Sequence, residues 1–223
     1  LRSCRDMIDR QLSHLTRLVD DLLDAGRLTS GKIRIRPQRV SFNAVAAQAA
    51  EACRPLMEAR LHKFSLELPS EELWVHADAT RLAQVIQNLL GNAAKFTPDR
   101  GSIALAAWLE GKRLKVEVRD NGEGFEPQAA QRLFELFTQG DGARPIREGG
   151  LGIGLSLARS LVEMHGGSMT ARSEGVGKGS VFSFELPGAD VVQRPAHAPG
   201  PALVLVVDDN RDAADSLAEL LRL

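Results

Sequence analysis

The sequence predicts an α/β fold in which helices pack on one side of a mixed sheet. Segments with helical and strand periodicity alternate along the middle of the chain, and two predicted strands, 168–172 and 180–186, follow one another without an intervening helix. A hairpin-like turn at 110–112 joins two further strands, 102–109 and 113–118. Adjacent strands of this kind favour a mixed sheet over a doubly wound parallel one.

The remaining elements follow from capping residues and from periodicity. Ser41 and Asn43 are suitable N-caps for an Ala-rich helix that extends to about residue 60, and Asp78 or Thr80 would cap a second helix. Further strands are predicted at 32–36, 63–68 and 74–76, and further helices at 128–137 and 153–165.

A long helix is predicted before this domain. Apolar residues from Ile8 to Leu22 are spaced alternately by four and three residues, which is the narrow seam of a coiled coil or of two packed helices. The helix should run from near residue 1 to about Leu28, since Gly31 follows as a stop signal. Because the chain begins within this pattern and ends within another apolar run, we interpret it as a fragment of a longer protein.

Composition excludes several function classes. The 223 residues carry a formal net charge of −1, so nucleic acid is not expected as a partner. Cys4 and Cys53 are far apart and lack a nearby His cluster, which predicts neither a disulfide framework nor a zinc site. No run approaches the roughly 18 apolar residues needed to cross a bilayer, and no signal peptide opens the chain. We expect a cytoplasmic domain, with any membrane anchor of the intact protein outside this sequence.

The first of three motif clusters lies on the predicted helix after Asp78. Asn88, Asn92 and Lys95 share one helical face. An amide oxygen is a neutral ligand that suits Mg²⁺ when phosphates supply the negative charge, and Lys95 would meet phosphate oxygens as a point charge. Taken alone, the same residues would equally suit a solvated polar face.

The second cluster follows a predicted strand directly. Asp120 offers a carboxylate that accepts hydrogen bonds and would select a ligand with an amino group, such as adenine. Gly122 and Gly124 permit positive φ and would let a flat ring approach closely. An Asp-Asn-Gly sequence is also common in ordinary turns, so this cluster alone does not identify a site.

The third cluster opens a predicted helix. Gly150, Gly152 and Gly154 precede a helix N-terminus, where unpaired N–H groups and the helix dipole attract phosphate. The glycine interval differs from the dinucleotide-binding fingerprint, and a long polar loop precedes it instead of a strand. A flexible loop before a helix is the alternative.

In this order, and with Phe134 and Phe137 between the second and third, the clusters resemble the ATP-binding catalytic domain of bacterial sensor histidine kinases. The resemblance extends over residues 40–187. It implies a two-layer α/β sandwich of the gyrase, chaperone and histidine kinase type, with ATP between the helices and a lid at 138–150. The resemblance implies a catalytic and Mg²⁺-binding set and an ATP-binding set. The first set is Asn88, Asn92 and Lys95, with Mg²⁺ on the two asparagines; the second is Asn92, Lys95, Asp120, Gly122, Gly124, Phe137, Gly150, Leu151, Gly152, Ile153, Gly154 and Leu155.

The flanking segments resemble parts of the same family. Residues 1–30 look like the second helix of the dimerisation and phosphotransfer hairpin, and 188–202 have the composition of a linker. Residues 203–223 look like the first strand and helix of a receiver domain, whose paired acidic metal-site residues would be Asp208 and Asp209. A kinase followed by a receiver implies a hybrid sensor kinase, and the resemblance also implies that the intact protein forms a homodimer.

The resemblance implies transfer of the γ-phosphoryl group of ATP to a histidine that this chain lacks. His14 lies on the wrong helix and without the family's acidic residue and proline, and His165 at a helix C-terminus is expected to be structural, as an imidazolium favoured by the dipole. The acceptor would lie on the first hairpin helix, in the same chain or in a dimer partner. A receiver domain or response regulator would then take the phosphoryl group.

Two other functions remain open at this stage. In the gyrase, chaperone and mismatch-repair relatives of this fold, a Glu stands at the position matched by Asn88 and activates water. An amide does not accept a proton near neutral pH, so a kinase is the preferred interpretation. An ATP hydrolase and a catalytically silent nucleotide-sensing or dimerisation module are the alternatives.

Overall fold

A five-stranded mixed sheet, three helices and a second, three-stranded sheet make up the computed structural model, which describes residues 33–135 and 152–192 together with Gly26. The strands are β1 (Gln38–Ser41), β2 (Lys63–Glu67), β3 (Glu72–Ala77), β4 (Ser102–Glu110), β5 (Arg113–Asp120), β6 (Ser168–Arg172), β7 (Ser180–Pro187) and β8 (Asp190–Val192). The helices are α1 (Phe42–Glu58), α2 (Ala79–Phe96) and α3 (Gly154–Met164).

The larger sheet has the strand order β2-β4-β5-β7-β6. The β2 and β4 strands are parallel, with Lys63 opposite Ser102, and the other neighbours are antiparallel. Alternate residues of these strands, such as Leu105 and Val116, are buried on the face that packs against the helices. Trp108 lies on the opposite face and is exposed. The predicted mixed sheet with helices on one face is confirmed.

The α2 helix begins and packs as its sequence predicts. Asp78 Oδ1 accepts hydrogen bonds from the N–H groups of Thr80 and Arg81 at 3.1 and 3.2 Å, which caps the helix. Seven apolar residues on one side are buried: Leu82, Val85, Ile86, Leu89, Leu90, Ala93 and Ala94. The opposite side of α2 is therefore left for the polar residues of the first cluster.

The predicted cap of α1 is also confirmed, since Ser41 Oγ accepts from Ala44 N–H at 3.2 Å.

Three local predictions are wrong. The strand expected at 32–36 is not formed over residues 33–36, and β1 begins at Gln38 instead. Within the linker expected at 188–202, Asp190–Val192 form β8, which pairs antiparallel with β3 in the smaller sheet of order β1-β3-β8. Over its described residues, 128–135, the helix expected at 128–137 is replaced by two short 3₁₀ turns, Pro127–Ala129 and Arg132–Phe134.

Several predicted segments lie outside the described residues. They are the long helix to Leu28 apart from Gly26, the loop 138–150, and residues 203–223. Within the part of the chain that the structure describes, no helix is long and apolar enough to cross a membrane.

Candidate nucleotide site

The first and third clusters meet where α2 passes the start of α3. Asn88, Asn92 and Lys95 are all half-buried on the polar side of α2. The Asn88 side chain donates a hydrogen bond from Nδ2 to the carbonyl oxygen of Gly154 at 3.1 Å. Because the amide nitrogen must face this carbonyl, the orientation of the side chain is determined, and Oδ1 remains to accept or to bind a cation.

The Asp120 carboxylate is held at the end of β5. Asp120 is only 7% exposed. Its Oδ1 accepts from the N–H of Gly122 at 2.8 Å, and its Oδ2 accepts from the hydroxyl of Ser180 at 2.5 Å. Since a carboxylate offers about four acceptor positions, these two bonds orient Asp120 and leave capacity for a donor such as the amino group of adenine.

The glycines of the second cluster are required by close backbone approach. A Cβ at Gly124 would lie 2.5 Å from Gly175 O, and Gly124 also has φ +61°. A Cβ at Gly122 would lie 2.5 Å from Phe96 O and 2.7 Å from Asp120 Oδ1. Only Gly124 has the positive φ that the sequence suggested for both, so Gly122 is needed for room and not for its conformation.

The loop 173–179 between β6 and β7 forms hydrogen bonds with the second cluster and with the residue that follows it. Gly179 N–H donates to Gly122 O at 3.0 Å, and Ser173 Oγ accepts from Phe125 N–H at 3.1 Å. These contacts are made by backbone groups and by one hydroxyl. The conformation of residues 121–125, here called the Asp120 loop, therefore depends on a segment about fifty residues away in the sequence.

The second cluster is also joined to the end of α2. Glu123 N–H donates to Phe96 O at 3.0 Å. The preceding residue is Lys95, whose Nζ lies 5.0 Å from the centroid of the Phe96 ring. The last turn of α2 therefore carries Lys95, the candidate for phosphate binding. Through the Phe96 carbonyl, the same turn also holds the loop that follows Asp120, the candidate for adenine binding.

The start of α3 contributes backbone more than side chains. Gly152 has φ +70°, and the helix begins at Gly154 without a side-chain cap. Ile153 is 1% exposed and belongs to the hydrophobic core, against which Leu155 also packs. Any contact of Ile153 with a nucleotide would therefore come from its backbone. The first N–H groups of a helix have no partner within it and suit phosphate.

Five predicted site residues lie outside the described residues: Phe137, Gly150, Leu151, Asp208 and Asp209. His14 lies outside them as well. Phe134, from the same motif as Phe137, is buried and packs edge-on against Phe182, with 6.4 Å between ring centroids.

His165 bridges two helix ends. Its Nδ1 bonds to Leu161 O at 2.7 Å and must donate there, and its Nε2 accepts from Asp78 N–H at 3.0 Å. A ring that accepts on one nitrogen and donates on the other is neutral, so the imidazolium expected at this helix terminus is wrong. The ring instead links the end of α3 to the N-cap of α2.

Ser180 and Ser173 are site residues that sequence reasoning missed. Ser180 bonds Asp120 because β5 and β7 pair in a register that places these residues opposite each other. Nothing in the local sequence of Ser180 identifies this pairing. The Gly-x-Gly-x-Gly run at residues 175–179 was the available signal for a tight loop, but not for its partner.

Comparisons with known proteins agree with this geometry. The model of the histidine kinase-, DNA gyrase B-, and HSP90-like ATPase family matches residues 77–190, just over half of the chain. The circadian input-output histidine kinase CikA of Synechococcus elongatus is 33% identical over 217 residues, 93% of this chain and 28% of CikA. The chain thus spans less than a third of that relative.

Solved structures match as well. Full-length ShkA in complex with AMPPNP has a TM-score of 0.70 and 31% identity, over 88% of this chain and 40% of that chain. The mycobacterial sensor histidine kinase MprB, at 24% identity, shares the fold with a TM-score of 0.60, over 69% of this chain and 98% of that chain. The family match, the sensor kinase relatives and the joined clusters lead to one conclusion: the chain belongs to the histidine kinase-, DNA gyrase B-, and HSP90-like ATPase family and carries an ATP-binding catalytic domain of the histidine kinase type.

Proposed function

We propose that this domain binds ATP with Mg²⁺ and donates the γ-phosphoryl group to a histidine on a two-helix hairpin. The hairpin histidine would be supplied by the same polypeptide or by a dimer partner, and a receiver domain or response regulator would take the phosphoryl group from it. The family match and the histidine kinase relatives support the catalytic part of this proposal.

The described residues have the chemistry to hold the substrate. Asp120 would accept from the adenine amino group. The amide oxygens of Asn88 and Asn92 would hold Mg²⁺, which would offset the negative charge of the phosphates. Lys95 and the N-terminus of α3 would bind the phosphates.

The observation that carries the proposal is the amide at position 88. Asn88 donates its N–H to Gly154 O, and an amide has no basic atom to take a proton from water near neutral pH. Phosphoryl transfer needs mainly positioning and charge stabilisation from the protein. The site can therefore supply a phosphoryl donor while the acceptor histidine brings its own nucleophile.

The phosphoryl transfer needs no reactant other than ATP and the acceptor histidine. A histidine ring nitrogen attacks the γ-phosphorus, the N–P bond forms, and the bond from phosphorus to the β–γ bridging oxygen breaks so that ADP leaves. The proton on the attacking imidazole passes to solvent once phosphohistidine has formed.

A phosphotransfer assay tests the proposal. The 223-residue chain, Mg²⁺ and ATP labelled at the γ-phosphate are incubated with a separately supplied hairpin that carries a phosphoacceptor histidine. We expect label on the hairpin that is lost in acid and stable in alkali, and none on a hairpin whose histidine is replaced by alanine.

Two variants make the assay specific to the site. Asn92→Ala should abolish labelling, and Gln87→Ala, on a different side of the same helix, should not. Equal labelling by wild type and Asn92→Ala would overturn the proposal. Steady phosphate release without hairpin labelling would indicate a hydrolase instead.

The flanking segments complete the proposed hybrid kinase. Residues 1–30 are proposed as the second hairpin helix and thus as part of a homodimer interface, on the basis of their heptad-like spacing. Residues 203–223 are proposed as the start of a receiver domain, because an apolar run is followed by Asp208 and Asp209.

A further inference from the structure

The carbonyl groups at the end of α2 have partners from two other parts of the chain. A helix leaves its last four carbonyls without partners inside the helix. In α2, the carbonyl oxygens of Ala94 and Lys95 both accept from Nη1 of Arg60, each at 2.7 Å. The next carbonyl, that of Phe96, accepts from Glu123 N–H at 3.0 Å. Arg60 and the Asp120 loop therefore hold consecutive residues of the same turn.

Arg60 is placed by two interlocked turns. It follows α1, and the next residue, Leu61, has φ +56°. The turn after α2 contains Arg100 with φ +65°, whose N–H donates to Arg60 O at 2.9 Å. Residues other than glycine rarely adopt this conformation, and it persists where the surrounding structure fixes it. The position of the Arg60 backbone is thus determined by contacts on both sides of the turn.

The Arg60 guanidinium interacts mainly with the C-terminal end of α2, and less with its acidic neighbour Asp99. Arg60 Nε also lies 3.0 Å from Asp99 Oδ1, but Asp99 is 74% exposed, and exposed ion pairs contribute little. A cation at a helix C-terminus is favoured by the helix dipole, and its bonds to carbonyl oxygens are charge-assisted. The two 2.7 Å bonds to α2 are therefore the main interaction of this side chain.

This turn carries Lys95, which the proposed function assigns to the phosphates. We propose that Arg60 is a positioning residue for nucleotide binding, which acts by fixing the turn of α2 that carries Lys95. The proposal rests on the proposed function, because it requires that Lys95 binds the phosphates of ATP. Arg60 itself contacts the helix end and needs no contact with the nucleotide.

A merely structural role for Arg60 makes a different prediction. If Arg60 only stabilised the packing of α1 on α2, its loss would lower the unfolding temperature and leave the affinity of the folded protein unchanged. If it acts through Lys95, its loss weakens Mg-ATP binding only while Lys95 is present. A double-mutant cycle separates the two roles, because residues that act through each other are non-additive.

The experiment measures Mg-bound AMPPNP binding by calorimetry, well below the unfolding temperature of every variant. The variants of the 223-residue chain are Arg60→Ala, Arg60→Lys, Lys95→Ala and the double variant Arg60→Ala/Lys95→Ala. Arg54→Ala is the matched control, since Arg54 lies on α1 and its guanidinium pairs with Glu51 on the same helix. Thermal unfolding of each variant is recorded alongside.

We expect Arg60→Ala to raise the dissociation constant about tenfold, with Arg60→Lys between it and wild type. In the Lys95→Ala background the further effect of Arg60→Ala should be less than about twofold. Arg54→Ala should bind like wild type. Unchanged affinity in Arg60→Ala, or the same fold-loss in both backgrounds, would overturn the inference while leaving the proposed function intact. Failure of the wild type to bind would instead overturn both.

Discussion

Asn88 Nδ2 donates a hydrogen bond to the carbonyl oxygen of Gly154 at 3.1 Å, which ties the middle of α2 to the first residue of α3. The two residues are 66 positions apart in the sequence. One end of the Asn88 amide is therefore committed to the fold, and the other is the proposed magnesium ligand.

Replacing Asn88 by aspartate tests this division. Asn88→Asp keeps an oxygen but places a second acceptor against Gly154 O, so we expect the free energy of unfolding to fall by about 1–3 kcal/mol. Asn92→Asp, on the same helix face, should change it by less than about 0.5 kcal/mol. Urea unfolding without nucleotide measures both. Equal losses in the two variants would show that the Asn88 bond does not contribute as described.

Ser180 is expected to support adenine binding through Asp120. Ser180→Ala removes the 2.5 Å hydrogen bond to Asp120 Oδ2 and leaves that oxygen free to turn. We expect AMPPNP binding to weaken about fivefold, since loss of one bond to a charged group is worth roughly 1 kcal/mol or more. Ser183→Ala is the control, because Ser183 lies on the same strand and bonds Glu117 instead. If both variants bind like wild type, the Ser180 bond does not orient the carboxylate.

Alanine variants of two glycines with the same φ distinguish the cost of backbone strain from the cost of a steric clash. Gly111 and Gly124 both have φ +61°, but a Cβ at Gly111 meets nothing within 4 Å, whereas one at Gly124 would lie 2.5 Å from Gly175 O. Gly111→Ala should cost about 1 kcal/mol from strain alone. Gly124→Ala should cost about 1–3 kcal/mol more, because neighbouring backbone must shift. Denaturant unfolding compares them, and equal costs would contradict the packing of this loop.

The N-cap of α2 predicts a specific pH dependence. Burial opposes ionisation of Asp78, but hydrogen bonds from the backbone N–H groups of Arg36, Arg81 and Thr80 outweigh it and lower the pKa of the carboxyl. A pKa lowered by folding gives stability that is present above the unfolded pKa of about 3.9 and is lost as pH falls through the folded value.

Asp78→Asn should therefore be less stable than wild type at pH 7, and the difference should shrink as the pH falls below about 4. Unfolding free energies measured from pH 7 to pH 3 test this. Asp99→Asn is the control, since Asp99 is exposed. A wild-type advantage that stays constant over the whole range would contradict the assigned role of the carboxylate.

Capping residues, apolar spacing and turn residues correctly predicted the elements that are determined by residues close together in the sequence. The Asp78 cap and the apolar spacing of α2 specify that helix, and Glu110-Gly111-Lys112 specifies the turn between β4 and β5. The same periodicity placed Asn88, Asn92 and Lys95 on one side of α2. The spacing did not predict that Asn88 contacts Gly154 or that the end of α2 contacts Glu123.

The errors arise where a distant partner decides the outcome. The alternation at 32–36 is typical of a strand, but the strand begins at Gln38, where β3 supplies the hydrogen bonds. The β8 strand is short and lacks a pattern of its own, and it forms against the other edge of β3. Ser180 and Arg60 were missed for the same reason, because their partners Asp120 and Lys95 are brought near only by the folded chain.

The most direct test of the central claim, that the three clusters form one ATP site, is a calorimetric titration of the 223-residue chain with Mg-bound AMPPNP. The expected result is saturable binding at one site per chain, with affinity lowered at least about tenfold by Asp120→Asn, which puts an amide donor where the adenine amino group would donate. Absence of binding by the wild type, or equal affinity in Asp120→Asn, would contradict the account.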